Sequence, residues 1–360
     1  MKIMNKFKLH IIGGARPNFV KIAPLLKLLD EDEYFDAKFI NTGQHYDVKL
    51  YDRILYDLDL RSPDINLNVG SFSGNTQISK IMYRYEKYLK NNKPDVVIVF
   101  GDVNSTLATA LTAKKMGIKI AHVEAGLRCY DDNLPEEVNR RITDSISDYF
   151  FTPSQNEKKN LNKENIKKNI FFVGNIMIDS LKIIMNKKKK LKLDKKKYAL
   201  VTLHRPENVD DKKILEKILD KLESISNSID LIFSIHPRTM KSLIKFKLLK
   251  KIRSISNIEI KDSFGYSDFL FYLKNSKFII SDSGGVQEES SYMNIPCFTL
   301  RKNTERPITI SKGTNTLVNL NNIRKKIKLN VKQSKVNIPK WDGMTAHRIL
   351  KVLKVLKTEA

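Results

Sequence analysis

Ile279-Ile280-Ser281-Asp282-Ser283-Gly284-Gly285-Val286-Gln287-Glu288-Glu289 reads as a short strand, a Ser-Gly-Gly turn and the first turns of a helix. The β-branched residues favour a strand, and the glycines let a ligand approach the backbone. Unpaired N–H groups at such a helix start, aligned with its dipole, suit a diphosphate. In an open α/β sheet ligands sit beyond the carboxyl ends of the strands, so Ser283, Gly284 and Gly285 are candidates for this contact. Glu289, one helical turn on, is placed to bind a ribose diol. The same grammar recurs outward through most of the chain. Candidate strands cover 8–12, 37–41, 95–100, 118–122, 169–173, 198–203, 230–235, 258–260 and 277–281, with helices in the gaps. One helix is expected from Asn18 to Asp30, and another from Asn104 to Lys115-Met116-Gly117, where Gly can adopt the left-handed cap. Alternation of this kind predicts βαβ units and parallel sheets. The pattern thins between Asn319 and Lys340, and an amphipathic segment, 344–357, ends it with Ile349, Leu350, Val352, Leu353, Val355 and Leu356 among basic residues.

At roughly 150 residues per domain, 360 residues make about two domains. The run from Lys187 to Lys197 falls near the midpoint between two βα sets and reads as a linker. Lys plus Arg number 65 against 40 Asp plus Glu, a formal charge of +25, with 41% hydrophobic residues. The chain is basic but foldable. Its lysine run lacks interleaved aromatics and the remaining excess is spread over helix faces, so no nucleic-acid partner is expected. Leu9-His10-Ile11-Ile12 is far short of the ~20 residues of a membrane span and precedes no cleavage-like site, so neither a leader nor membrane insertion is expected. Cys129 and Cys297 are too far apart for a C-x-x-C motif and form no disulfide framework, which fits a reducing compartment.

Other strand ends also carry reactive side chains. Gly13-Gly14-Ala15-Arg16-Pro17-Asn18 is a tight turn at a helix start where Arg16 could meet phosphate, or a plain βα turn; it is not G-x-G-x-x-G, so no dinucleotide site is indicated. Gly101-Asp102-Val103-Asn104 places Asp102 at a strand terminus, as a functional carboxylate or with Asn104 as a helix cap. His122-Val123-Glu124-Ala125-Gly126-Leu127-Arg128 puts Glu124 at a buried strand end, where a carboxylate is costly unless paired or used. Pro135-Glu136-Glu137-Val138-Asn139-Arg140-Arg141 opens a helix whose stripe Val138, Ile142, Ile146 and Tyr149 turns Glu136 and Arg140 to the opposite side. Glu136–Arg140 and Glu137–Arg141 are i,i+4 pairs, which as surface ion pairs would be worth little. His204-Arg205-Pro206-Glu207-Asn208 and, more weakly, His236-Pro237-Arg238 follow later strands, and Arg301 to Pro307 adds cations. Asp102, Glu124 and Glu136 lack clustered metal-ligand spacing and a cofactor fingerprint, which fits proton transfer with neither metal nor cofactor. Removing a proton from a poorly acidic sugar carbon is easier if diphosphate leaves the neighbouring anomeric carbon, and cations with a helix start would stabilise that charge.

The runs Gly-Ala-Arg-Pro-Asn, Thr42-Gly43-Gln44-His45-Tyr46-Asp47, Gly-Asp-Val-Asn-Ser-Thr, His-Val-Glu-Ala-Gly-Leu-Arg, Pro-Glu-Glu-Val-Asn-Arg, Thr-Leu-His-Arg-Pro-Glu-Asn, Ser-Asp-Ser-Gly-Gly-Val-Gln-Glu-Glu, Thr-Glu-Arg-Pro and Gly313-Thr314-Asn315 together resemble the non-hydrolysing UDP-N-acetylglucosamine 2-epimerase family, in family order over residues 8–318. The resemblance implies two Rossmann-like doubly wound α/β domains with a central cleft, a glycosyltransferase-B-like architecture. Residues 1–180, joined by a returning C-terminal helix 344–360, would carry the catalytic carboxylates, and 190–343 would bind UDP. It further implies cytoplasmic interconversion of UDP-GlcNAc and UDP-ManNAc through a 2-acetamidoglucal, by a homodimer, supplying sugars for surface polysaccharide. Asp102, Glu124, Glu136, Arg140 and His204 are then the catalytic candidates. Arg16, His204, Ser283, Gly284, Gly285 and Glu289 would hold UDP, Phe269 would lie against uracil, and Gln44 and His45 would belong to an effector site.

The sequence departs from the family pattern in Ala15 and Asn18 of the first motif, in the residues after Asp102 and in Pro206. These departures bear on substrate more than on catalysis, and a UDP-diacetamido uronic acid is an alternative substrate. A UDP-sugar glycosyltransferase of the same fold would instead turn over only with an acceptor, and a nucleotide-sugar-binding regulator would bind without turnover.

Overall fold

The computed structural model describes residues 6–43, 55–187, 197–329 and 336–358. Gln44, His45, most of the lysine-rich linker and the side chain of Arg16 lie outside the described residues. The chain divides into two compact units, Met1–Ile184 with Pro339–Ala360, and Met185–Ile338.

The first unit is built on seven parallel strands: β1 (Phe7–Gly13), β2 (Phe35–Asn41), β3 (Ile65–Asn66), β4 (Val96–Phe100), β5 (Lys119–Val123), β6 (Tyr149–Thr152) and β7 (Ile170–Phe172). Their order is β3-β2-β1-β4-β5-β6-β7, and every pairing is parallel. β4, Val-Val-Ile-Val-Phe, is buried throughout, as a central strand covered on both faces must be. Ile12, Ile40, Val97, Val99 and Ile120 pack with Ile81, Tyr85 and Leu89 of the helix Gly74–Leu89. The helix Asn104–Lys115 ends where Gly117 takes φ +73°, the left-handed stop expected there. The expected helix at 18–30 begins earlier, at Arg16, because Pro17 is compatible with the first turn.

The second unit has six parallel strands: β8 (Tyr198–Thr202), β9 (Asp230–Ile235), β10 (Ile258–Asp262), β11 (Ile279–Ser281), β12 (Cys297–Leu300) and β13 (Asn315–Val318). Their order is β10-β9-β8-β11-β12-β13. Leu215, Leu219 and Leu222 of the helix Lys212–Ser226 pack on one face with Val201, Phe233 and Phe298.

The closing helix, Thr345–Thr358, belongs to the first unit. It buries Ile349, Leu353 and Leu356, and its Ala346 N–H donates to the buried Asp179 at 2.8 Å. Trp341 just before it donates to the Pro153 carbonyl at 3.3 Å, and Lys354 meets Asp32 at 2.6 Å. Among the described residues no helix is long and apolar enough to cross a membrane.

Candidate functional site

Strand order reverses in the first sheet at β1 and β4, and in the second at β8 and β11. Ligand crevices form at such switch points, and the residues leaving these four strands include most of the candidates.

Asp102 stands in the turn after β4. Its carboxylate pairs with Arg140, whose guanidinium is also held by the buried Glu137 at 2.6 Å. Asn139 donates to the Asp102 carbonyl at 2.9 Å. Neither Asp102 nor Asn104 caps the next helix: Val103 occupies the cap, and the Asn104 amide donates to Gln77 at 2.9 Å. The structure thus assigns the Asp102 side chain to Arg140, where a quarter of it stays accessible.

Glu124 leaves β5 with φ +75°, a conformation costly to a side chain that has a Cβ. Its carboxylate forms an ion pair with Lys21, both side chains nearly buried. A Cβ on Gly101, itself at φ +63°, would lie 2.9 Å from Lys21 Nζ and 3.2 Å from Glu124 Oε2. Gly101→Ala is therefore expected to cost about 1–2 kcal/mol from the backbone conformation and to push this ion pair apart. Thermal unfolding measures the first effect, and the Lys21–Glu124 separation in a structure of the variant reports the second.

Below Glu124 lies a buried polar frame. His122 Nδ1 is 2.7 Å from Asp144 and its Nε2 is 2.8 Å from the Gly101 carbonyl. Asp144 also accepts from Gly126 N–H at 3.0 Å and pairs with Arg128 at 2.7 Å, and Arg128 reaches Glu164 at 2.6 Å. Burial alone would push the Asp144 carboxyl up; His122 and Arg128 outweigh it and hold the group below its ordinary range. Glu137 behaves likewise: burial opposes ionisation, but bonds from Cys129 and the charge of Arg140 hold it down.

This frame corrects the expected orientation of the helix Pro135–Ile146. Its buried face is Glu137, Asn139, Arg140, Thr143 and Asp144, whereas Val138 and Ile142 are exposed and Tyr149 belongs to β6. The helix turns inward toward hydrogen-bonding partners rather than toward an apolar surface. Arg140 accordingly pairs with Glu137 and Asp102, not Glu136, and Arg141 pairs with Asp132. Glu136 is exposed on the first turn.

In the second unit β8 delivers His204 and β11 delivers Asp282, Ser283 and Gly284. Ser283 is the cap of the helix Gly284–Met293, and its N–H donates to Ser281 Oγ at 3.1 Å. A Cβ on Gly284 would lie 2.6 Å from Arg306 Nη1, so the glycine admits that guanidinium. Of the cations expected from the Arg301–Pro307 stretch, both arginines are neutralised: Arg301 pairs with Glu305 at 2.9 Å, and Arg306 pairs with Glu288 at 2.8 Å and with Glu305. They brace the helix start because buried guanidinium groups require such partners. Gln287, also buried, receives bonds from Thr304 at 2.6 Å and Asn315 at 2.9 Å, which gives the Thr-Glu-Arg-Pro and Gly-Thr-Asn runs a structural purpose. Glu289 is buried one turn into the helix, and Phe269 is half-buried in the helix Tyr266–Asn275, packed against the core beneath. Among the described residues no three His, Cys, Asp or Glu side chains cluster as a metal site.

A family model described as UDP-N-acetylglucosamine 2-epimerase matches residues 27–354. The chain belongs to this family. A curated 2-epimerase relative, the UDP-N-acetylglucosamine 2-epimerase of Methanocaldococcus jannaschii, is 44% identical over 96% of this chain and 98% of its own. The crystal structure of the Methanocaldococcus jannaschii UDP-GlcNAc 2-epimerase with UDP-GlcNAc and UDP matches with a TM-score of 0.88 at 40% identity, covering 97% of this chain and 99% of that one. The UDP-2,3-diacetamido-2,3-dideoxy-D-glucuronate 2-epimerase of Pseudomonas aeruginosa is 34% identical over 86% of this chain and 88% of its own. The two parallel sheets share the glycosyltransferase-B-like class of these epimerases.

Within the 2-epimerase frame the structure brings Asp102 to Arg140 and leaves Glu124 beside them at the next strand end. Lys21, Glu137 and Asp282 pair with or brace candidate residues, and Asp144 holds the frame beneath Glu124; none of the four was a candidate from the sequence. Lys21 did carry a signal: it is a lysine inside the apolar run Phe19-Val20-Lys21-Ile22-Ala23, and that helix position is buried.

Proposed function

We propose that the chain interconverts UDP-GlcNAc and UDP-ManNAc as a non-hydrolysing epimerase. The observation that carries this reading is the pair of carboxylates, Asp102 and Glu124, each held against a cation at the ends of adjacent strands in a chain of the 2-epimerase family. A carboxylate takes the proton from C2 as the anomeric C–O bond breaks and UDP departs, giving a 2-acetamidoglucal. Return of a proton to C2 on the opposite face and re-addition of UDP complete the inversion, with no net redox change. Glu136, Arg140 and His204 complete the catalytic set. Arg16, Ser283, Gly284, Gly285 and Glu289 hold the nucleotide, Phe269 lies against the base, and Gln44 and His45 form an effector site. This assignment rests on the family motifs, with UDP-GlcNAc taken from the relatives' ligand and names. The protein acts as a cytoplasmic homodimer supplying ManNAc-type sugars for surface polysaccharide.

Proton NMR with UDP-GlcNAc in D2O, without added metal, cofactor or acceptor, is expected to show UDP-ManNAc carrying deuterium at C2. Free ManNAc with UDP would establish hydrolysing chemistry instead. Turnover only of a UDP-diacetamido uronic acid would select the second reading, which the Pseudomonas aeruginosa relative favours. Turnover only with an acceptor would make the protein a transferase.

A further inference from the structure

The carboxylate of Asp282 is fully buried, next to the turn assigned above to a diphosphate. A negative charge there opposes an anion, so its presence needs a reason, and its hydrogen bonds supply one. It accepts from the His204 N–H at 3.1 Å, the Arg205 N–H at 2.9 Å and the Asn208 amide at 2.9 Å, while Oδ1 stands 3.1 Å from His204 Nδ1. The register creates this meeting: Ser281 of β11 lies opposite Thr202 of β8, so the residues leaving the two strands are neighbours. Burial alone would raise the Asp282 carboxyl, but the bonds from His204, Asn208 and Arg205 hold it low. An ionised carboxylate only accepts, so Nδ1 of His204 carries the proton.

The neighbouring His236, its ring 5.0 Å away, has the opposite arrangement: its Nδ1 accepts from the Arg238 N–H at 3.2 Å. Behind His204 stands the buried acid Asp282.

We propose that Asp282 is the positioning residue of His204: it keeps the imidazole proton on Nδ1 and presents Nε2 as the atom that meets the nucleotide. The proposal rests on His204 contacting the nucleotide in the reading above.

Long-range nitrogen–proton NMR of histidine-labelled protein, assigned with His204→Asn, is expected to find the neutral His204 ring in the Nδ1–H tautomer. The Nε2–H tautomer would overturn the proposal. Asp282→Asn is expected to weaken UDP binding about 10-fold or more in the parent, the worth of one hydrogen bond to a charged group. In the His204→Asn background the same substitution is expected to change UDP affinity less than about twofold, because neighbours acting through one contact are non-additive. Equal losses in both backgrounds would make Asp282 a merely structural residue and overturn the proposal. Should Asp282→Asn fail to fold, the tautomer of the unmutated protein decides. Neither readout uses turnover, so failure of the epimerase reading with UDP-GlcNAc is seen separately.

Discussion

Asp102→Asn, Glu124→Gln and Glu136→Gln are each expected to lower turnover of UDP-GlcNAc by about 10²–10⁴-fold, the usual worth of a positioned acid or base, while UDP still binds. Each change keeps size and shape and removes the ability to take up a proton. Asp102 and Glu124 face cations, Arg140 and Lys21, so their substitutions also leave a buried positive group short of its partner. For Glu124→Gln, which leaves the nearly buried Lys21 without its charge partner, a loss of about 3–5 kcal/mol accompanies the loss of rate; for Asp102→Asn it is smaller, because Glu137 still holds Arg140. Glu136 is exposed, and its substitution is expected to leave unfolding unchanged, so it separates chemistry from folding. UDP titration beside a turnover assay checks all three, and full activity in every variant would remove the proton-transfer mechanism.

Arg128→Met is expected to destabilise the first unit by about 3–5 kcal/mol, as removal of one partner from a buried ion pair does. Met fills much of the volume but leaves Asp144, which is fully buried, with His122 and the Gly126 N–H alone. For a unit of this size that amounts to a fall of roughly 6–20 °C in its transition. The pH dependence has a definite sign. Because the folded Asp144 carboxyl is held low, its stabilisation is complete above the ordinary carboxylate range and fades as pH falls through the folded value. The deficit of Arg128→Met is therefore largest near neutral pH and shrinks in acid. Thermal unfolding near neutral pH and again well below the ordinary carboxylate range checks this, and an equal deficit at both would contradict the ion-pair account.

The parallel α/β class was legible because strand and helix periods differ and because turns such as Gly101-Asp102 and Ser283-Gly284 punctuate them. β9 was expected at 230–235 and is found there. β6, β12 and β13 were harder to read: each has four residues, and a short apolar run does not distinguish a buried strand from a piece of helix. Reading the Pro135–Ile146 helix by its apolar stripe failed for another reason. Periodicity assumes that the hidden face is oily, but here Glu137, Arg140 and Asp144 are hidden because each finds a partner from elsewhere in the sequence. Lys21 and Asp282 were obscured by the same rule, since the bonds that give them a purpose join residues 103 and 78 positions apart.

The return of the Thr345–Thr358 helix to the first unit has a consequence for biogenesis. Domains ordinarily fold in the order in which the ribosome releases them. Here Met185–Ile338 is continuous, whereas the Met1–Ile184 part keeps an uncovered face until Ile349, Leu353 and Leu356, which follow Met185–Ile338 in the chain, have been made. Met185–Ile338 is thus free to finish first, and the Met1–Ile184 part must wait for the Thr345–Thr358 helix before its core is sealed.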